Sequence, residues 1–254
     1  METPNYKQFA VSLAKEAGEI MKKYFGLDTK TEWKADNSPL TEADTLINTM
    51  VIEKVKERFP DHSILGEEGS FKVEGSTFTW VCDPIDGTLP FSVGMPICTF
   101  SLALVDDGEV ILGVIYDPFC DRLFTAEKGQ GAFLNDKPIK VSSKDTLVQA
   151  HINNDSKELA EATLELRDLK AKITRLYCVT YPGVLVACGK FEAVMFGGPT
   201  TWDIAAQKII VEEAGGKVTD QDGNEQRYDQ PINGALVSNG LLHETLLEMI
   251  KKYR

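Results

Sequence analysis

Residues 80–91 read WVCDPIDGTLPF. An apolar run reaches Asp83, Pro84-Ile85 follows, and Asp86 then leads into Gly87-Thr88. Asp, Pro and Gly are ordinary turn residues, so Asp83 can simply start a turn. The other reading is a cation site. Pro84 keeps a helix from forming over Asp83, and a tight bend at Pro84-Ile85 can face the Ile85 carbonyl inward. One short segment then offers three oxygens: the Asp83 carboxylate, the Ile85 carbonyl and the Asp86 carboxylate. Hard cations such as Mg²⁺ take oxygen ligands. The N–H groups of Gly87 and Thr88, just beyond, suit a phosphate.

Outward from this stretch, the first half of the chain is two helices followed by β texture. Apolar residues from Phe9 to Tyr24 recur at helical spacing, which predicts an amphipathic helix over 6–25. A polar loop is expected at 33–40, then a second helix opened by Thr41 and stopped by Pro60. Thr41-x-x-Asp44 has the capping-box pattern. Short β-rich runs follow: SIL, TFTWVC, TFSLALV, EVILGVIYD and DRLFTAE. DDGE at 106–109 reads as a hairpin turn, and Asn135-Asp136 as another. These runs predict a mostly antiparallel sheet.

Beyond residue 141 the pattern alternates. Helices are expected at 156–169, 182–189, 202–213 and 241–252, and strands at 173–179, 191–196, 217–219 and 235–238. Such alternation indicates an α/β segment with some parallel pairing. With no long linker, 1–140 and 141–254 are expected to be two packed subdomains of one unit.

The chain has 254 residues, 43% apolar and 26% charged, as in an ordinary soluble globular protein. Its net charge of −12 disfavours nucleic acid as a partner, because a phosphate backbone needs a basic face. The N-terminal stretch is charged and amphipathic, which fits neither a signal peptide nor a membrane span. Five cysteines without CxxC spacing fit a reducing cytoplasm better than a disulfide framework.

Three acidic clusters stand at the ends of elements. They are Glu67-Glu68 in ILGEEG, Asp83 with Asp86, and Asp203 in TTWDIAA. Each has a plain reading: an exposed loop for the glutamates, a turn for Asp83, a helix N-cap for Asp203. Together they can ligate cations, and phosphoryl chemistry commonly uses two cations about 4 Å apart. Asp83 can then bridge the pair, with Glu67 completing one shell and Asp86 plus Asp203 the other. Haloacid-dehalogenase-type phosphatases also carry D-G-T, but their nucleophilic Asp precedes the second Asp by two positions. Here the separation is three, which disfavours a phosphoaspartate mechanism.

GEE (66–68), WVCDPIDGT (80–88), WDIAA (202–206) and EEAGG (212–216) together resemble the inositol monophosphatase family of Mg²⁺-dependent, often lithium-sensitive phosphatases. TEAD (41–44) and the 113–136 region resemble it too, so the similarity spans nearly the whole chain in order. The resemblance implies an α/β fold, a layered α/β/α/β sandwich with the site between two subdomains. It implies two or three Mg²⁺ ions held by Glu67, Asp83, the Ile85 carbonyl, Asp86 and Asp203. It implies a water nucleophile flanked by Glu67 and Thr88, with Asp44 polarising Thr88; a capping role for Asp44 is compatible with this. Ile85, Asp86, Gly87, Thr88 and Asp203 are then the substrate-binding set, and Lys34 matches a loop lysine of the family. A homodimer is usual among relatives. His62, His151 and His243 match no motif position and read as surface or structural residues.

The pattern departs from the family where substrate is chosen. Inositol-selective members have a Gly-Ser/Thr-Ala stretch where this chain reads YCVTYPG (177–183). They also carry a Glu seven residues before the last metal-binding Asp, and Phe196 stands there. The expected activity is therefore a phosphomonoesterase acting on a small polyol or sugar phosphate, with inositol 1-phosphate as lead substrate. Fructose 1,6-bisphosphate, 3′-phosphoadenosine 5′-phosphate and histidinol phosphate are alternatives. A non-catalytic, metal-binding regulatory relative is the alternative of another class.

Overall fold

The structure is a computed structural model that describes residues 5–156 and 159–254. Helix α1 (Tyr6–Tyr24) starts at Asn5, whose side chain accepts a hydrogen bond from the Gln8 amide at 2.9 Å. Its buried stripe of Ala10, Leu13, Ala14, Ala17 and Met21 follows the 3.6-residue period. A small antiparallel hairpin follows, β1 (Thr31–Trp33) and β2 (Pro39–Thr41), and then α2 (Glu42–Arg58).

Seven strands form the first sheet in chain order: β3 (Ser63–Gly66), β4 (Phe78–Asp86), β5 (Thr99–Asp106), β6 (Glu109–Asp117), β7 (Arg122–Glu127), β8 (Ala132–Leu134) and β9 (Lys137–Pro138). β3 pairs parallel with β4, and every later pair is antiparallel. Between β4 and β5 sits the one-turn helix α3 (Thr88–Ser92).

The second sheet has the order β11-β10-β12-β14-β13. It comprises β10 (His151–Asn154), β11 (Lys172–Thr174), β12 (Ala193–Phe196), β13 (Lys217–Thr219) and β14 (Ala235–Ser238). β10 is parallel to both neighbours; the β12–β14 and β13–β14 pairs are antiparallel. The helices of this segment are α4 (Ala160–Asp168), α5 (Thr180–Ala187), α6 (Ala205–Glu213) and α7 (His243–Tyr253).

The period of two sorts side chains of the first sheet between two cores. Trp80, Cys82, Phe100, Leu102, Val114 and Tyr116 join the cluster with α1 and α2. Val81, Ala103, Val105, Ile115 and Phe124 join the cluster with α5, α6 and the inner face of the second sheet. A third cluster packs Ile152, Ala193, Met195 and Leu236 against α4 and α7. The expected layered α/β sandwich is present, with α4 and α7 adding a fifth layer on its outer face. α6 lies directly on β6 at Gly113, where a Cβ would meet the Ala206 carbonyl oxygen at 2.6 Å.

The structure departs from the sequence reading at several points. β1 and β2 occupy the ends of the expected 33–40 loop; the turn closes because Asp36 accepts from the Ser38 amide at 3.0 Å and its hydroxyl at 2.7 Å. β4 does not stop at Asp83. It runs to Asp86 through a bulge, with Asp83 opposite Ser101 and Asp86 opposite Thr99, so Pro84 falls where a ladder donor is not needed. The polar strand β10 was not expected, since HINN carries little β signal. The expected 173–179 strand ends at Thr174, and α5 begins at Thr180 rather than 182, because Asp86 captures the amides of 179 and 180. In the expected 156–169 helix, α4 covers Ala160–Asp168 and residues 157–158 lie outside the described residues.

His62 and His243 are both buried. His62 stacks on Phe78 and accepts from the Trp80 indole at 3.1 Å. His243, wholly buried at the start of α7, pairs with Ser238 Oγ at 2.8 Å and Thr219 Oγ1 at 3.0 Å, tying α7 to β13 and β14. Burial, with Lys217 adding to it, lowers its pKa to about 4. The unfolded chain, at the ordinary value near 6.5, therefore binds the proton first, and stability falls as pH drops between those values. Relative to His243→Gln, the wild type should lose up to about 3 kcal/mol between pH 7 and pH 4. Urea titrations of both proteins across that range check this; parallel pH profiles would contradict it.

Candidate active site

The β4 bulge is what turns Asp83 and Asp86 to one place. Asp83, Asp86 and Asp203 each present a carboxylate oxygen within 4.8 Å of the others. They line a cavity of about 480 Å³, together with Lys34, Glu67, Ile85, Gly87 and Thr88. The three acidic clusters, spread over residues 67–203, thus converge.

Asp86 is the most tightly held. Its Oδ1 accepts from the Val179 amide at 3.0 Å, and its Oδ2 from the Thr180 amide at 2.5 Å, the Thr180 hydroxyl and Cys178 Sγ at 3.1 Å. Burial raises its pKa, and these donors work against that rise. Gly87 makes the turn possible. Its φ is +88°, and a Cβ there would lie 2.7 Å from the Ile97 carbonyl oxygen and 3.0 Å from Cys178 Cβ.

Asp83 is 1% exposed, and its Oδ1 meets no hydrogen-bond donor among the described residues. Burial first, and then the charges of Glu67, Asp86 and Asp203, push its pKa well up. Asp203 is partly buried at the end of a 3₁₀ turn (Thr201–Asp203), with Thr200 Oγ1 donating to it. Its pKa is also pushed well up, by burial and then by Asp86. It does not cap α6, whose N-cap is Ile204. Carboxylates held this close in a buried place repel one another. The unpartnered Asp83 oxygen and an all-oxygen donor set fit a hard divalent cation such as Mg²⁺.

Asp44 faces both ways. Its Oδ2 accepts from the Thr41 amide at 2.8 Å, as a capping box requires, and its Oδ1 accepts from Thr88 Oγ1 at 3.2 Å. Thr88 Oγ1 also lies 2.9 Å from the Ile85 carbonyl oxygen. Burial raises the Asp44 pKa to about 6. Glu67 and Glu68 are not a solvated loop: both are mostly covered and both pair with Lys34, Glu67 at 2.8 Å. Burial alone would lower the Lys34 pKa, but these two carboxylates carry it above its usual value.

The residues that sequence reasoning did not assign are those that hold the ligand candidates: Cys178, Val179 and Thr180 around Asp86, and Thr200 on Asp203. For Cys178, Val179 and Thr180 the only sequence signal is that 177–183 departs from the inositol-selective pattern.

The family model described as "Inositol monophosphatase family" matches residues 4–254. The chain belongs to the inositol monophosphatase family. It is accordingly a phosphoric monoester hydrolase, and the relatives it matches carry phosphatase names. Inositol monophosphatase 3 of Solanum lycopersicum is 36% identical, covering 96% of this chain and 95% of that one. A solved Thermotoga maritima IMPase is 30% identical, covers 98% of each chain and superposes with a TM-score of 0.89. A structure described as IMPase/NADP phosphatase complexed with Mg²⁺ and phosphate is 26% identical, covers 96% of this chain and 94% of that one, and has a TM-score of 0.86. Other family relatives are named fructose-1,6-bisphosphatase/inositol-1-monophosphatase and histidinol-phosphatase.

Asp83→Asn should separate charge from fold. Removing one crowded carboxylate should raise the metal-free melting temperature by about 2–4 °C, on the order of 1 kcal/mol. The rise in melting temperature on adding Mg²⁺ should disappear. Calorimetry with and without Mg²⁺ measures both; an unchanged Mg²⁺ response in the variant would remove Asp83 from the cation site.

Proposed function

We propose that the chain is a Mg²⁺-dependent phosphomonoesterase acting on a small polyol or sugar phosphate, with inositol 1-phosphate as lead substrate. The observation that carries this reading is the convergence of Asp83, Asp86 and Asp203 beside the Gly87-Thr88 turn. Glu67, Asp83, the Ile85 carbonyl, Asp86 and Asp203 would hold two or three cations. Cations bound there would lower the pKa of a water and stabilise charge on the phosphoryl oxygens.

The chain's own groups supply the rest. The Gly87 and Thr88 amides, at the turn into α3, receive the phosphate oxygens. Glu67 and Thr88 Oγ1 flank the attacking water. As the water oxygen bonds to phosphorus, Thr88 takes its proton and passes its own hydroxyl proton to Asp44 Oδ1, which returns it to solvent as the products leave. The P–O ester bond breaks on the opposite side, and the departing alkoxide takes a proton from solvent. Water and ester thus become alcohol and inorganic phosphate, with no covalent enzyme intermediate. Lys34 neutralises Glu67 and Glu68, so a cation that uses Glu67 must share or displace that ammonium.

Fructose 1,6-bisphosphate and histidinol phosphate stay in the substrate panel because relatives carry those activities in their names. A cytoplasmic homodimer completes the reading. The five cysteines are free thiols, and no helix among the described residues is long and apolar enough to cross a membrane.

Phosphate release from a panel of small phosphomonoesters, with Mg²⁺ and with EDTA, tests the proposal. Release should require Mg²⁺, and Asp203→Asn should lower kcat at least about 100-fold. Equal release in EDTA, or full activity in the variant, would overturn it. Light scattering on the eluting protein should give twice the chain mass.

A further inference from the structure

Gln207 stands in the buried row of α6 with Ala205, Ala206, Ile209, Ile210 and Val211, and is itself wholly buried. A polar side chain shut away from water must find its partners inside the protein. Gln207 finds two main-chain carbonyls. Its Nε2 donates to the Asp203 carbonyl at 2.5 Å and to the Val179 carbonyl at 3.4 Å. Two acceptors facing one amide fix which end of the side chain points at them, since only the nitrogen carries hydrogens.

Both carbonyls lie on segments that carry or hold a candidate ligand. The Val179 carbonyl and the Thr180 amide are the two ends of one peptide unit, and that amide donates to Asp86 Oδ2 at 2.5 Å. Gln207 therefore grips from behind the peptide that Asp86 grips from the front. A carbonyl that accepts a hydrogen bond polarises its peptide and strengthens the bond made by the N–H. The Asp203 carbonyl stands just ahead of α6, whose backbone bonds open one residue later with the Lys208 amide on Ile204 at 2.8 Å. A side chain from the first turn of α6 thus closes the turn that bears Asp203.

The plain role for such a residue is to tie α5 to α6. Two features argue for more. Gln207 Oε1 meets no donor among the described residues, and an unpaired buried oxygen is destabilising. Gly183, inside α5, makes room for it: a Cβ there would overlap Oε1 and lie 2.6 Å from Cδ. Glycine in a helix interior is destabilising relative to alanine. Alanine at 183 against an apolar side chain at 207 would join the two helices without either penalty. The amide is kept for the carbonyls it holds.

We propose that Gln207, with Gly183 making room for it, is a positioning residue of this site. Its amide fixes the main chain of Asp203 to the peptide that holds Asp86, and so sets how those two carboxylates meet a divalent cation. The inference rests on the cation reading above and adds the residue that joins its two halves. Groups that orient the ligands of a metal typically contribute roughly 10–100-fold to its affinity.

The test is Mg²⁺ affinity, read from the melting temperature of the whole chain across a Mg²⁺ series by calorimetry. Gln207→Met keeps the length and burial but has no donor. It should melt within about 4 °C of the wild type and bind Mg²⁺ about tenfold more weakly. Gly183→Ala suits a helix and displaces the amide without removing it, so it should weaken Mg²⁺ by a similar factor. Ile210→Val, a core change in the same helix, should lower the melting temperature by about 2–4 °C and leave Mg²⁺ affinity unchanged. Wild-type Mg²⁺ affinity in Gln207→Met or Gly183→Ala, or an equal loss in Ile210→Val, would overturn the proposal and leave the phosphatase reading standing. A wild type that does not respond to Mg²⁺ would overturn both.

Discussion

The capture of Asp86 by residues 178–180 is the interaction on which the arrangement depends. A buried carboxylate at the end of β4 takes two backbone amides, a hydroxyl and a thiol from the segment that opens α5. Charge-assisted bonds of this kind are about twice as strong as neutral ones. They join the first sheet to the middle helical layer at the point where the cavity opens. They also stop β11 early and start α5, so one carboxylate sets both the geometry of the site and the local secondary structure. Thr180 extends the link, since its hydroxyl also meets that of Thr99 on β5.

The acidic cluster is thereby held against its own repulsion. Asp83 and Asp203 have few donors, and burial drives both toward the neutral form. Asp86, by contrast, keeps strong donors that favour its charge. Such inequality is useful in a cation site. Were a cation bound as proposed, Asp86 would meet it already held by its donors, and Asp83 and Asp203 would give up protons to it. The fold supplies the energy to keep them close; the cation would relieve it.

The helices other than the one-turn α3, and most of the first sheet, were legible in the sequence because each carries its period plainly. α1 shows it in Ala10, Leu13, Ala14 and Ala17, and β5 and β6 show it as nearly continuous apolar runs that feed two cores. The site motifs were legible because Asp-Pro-Ile-Asp-Gly-Thr joins rare neighbours at fixed spacing. What stayed hidden were features decided by distant contacts. β10 is polar and becomes a strand only between β11 and β12. The strand expected at 173–179 was undone by a carboxylate 92 to 94 positions away. The bulge in β4 needs Ser101 and Thr99 opposite it to be seen at all. Gln207 likewise gains meaning only from the carbonyls it reaches.

Gly113 carries one further implication. With no side chain between them, β6 and α6 meet backbone to backbone at that point. α6 follows directly on the turn that bears Asp203, and the same sheet bears Asp83 and Asp86. The gauge of the carboxylate triad is therefore referenced to main-chain contact instead of to the volume of compressible side chains. Three carboxylates gathered this closely are set on the stiffest spacer a polypeptide offers, the absence of one.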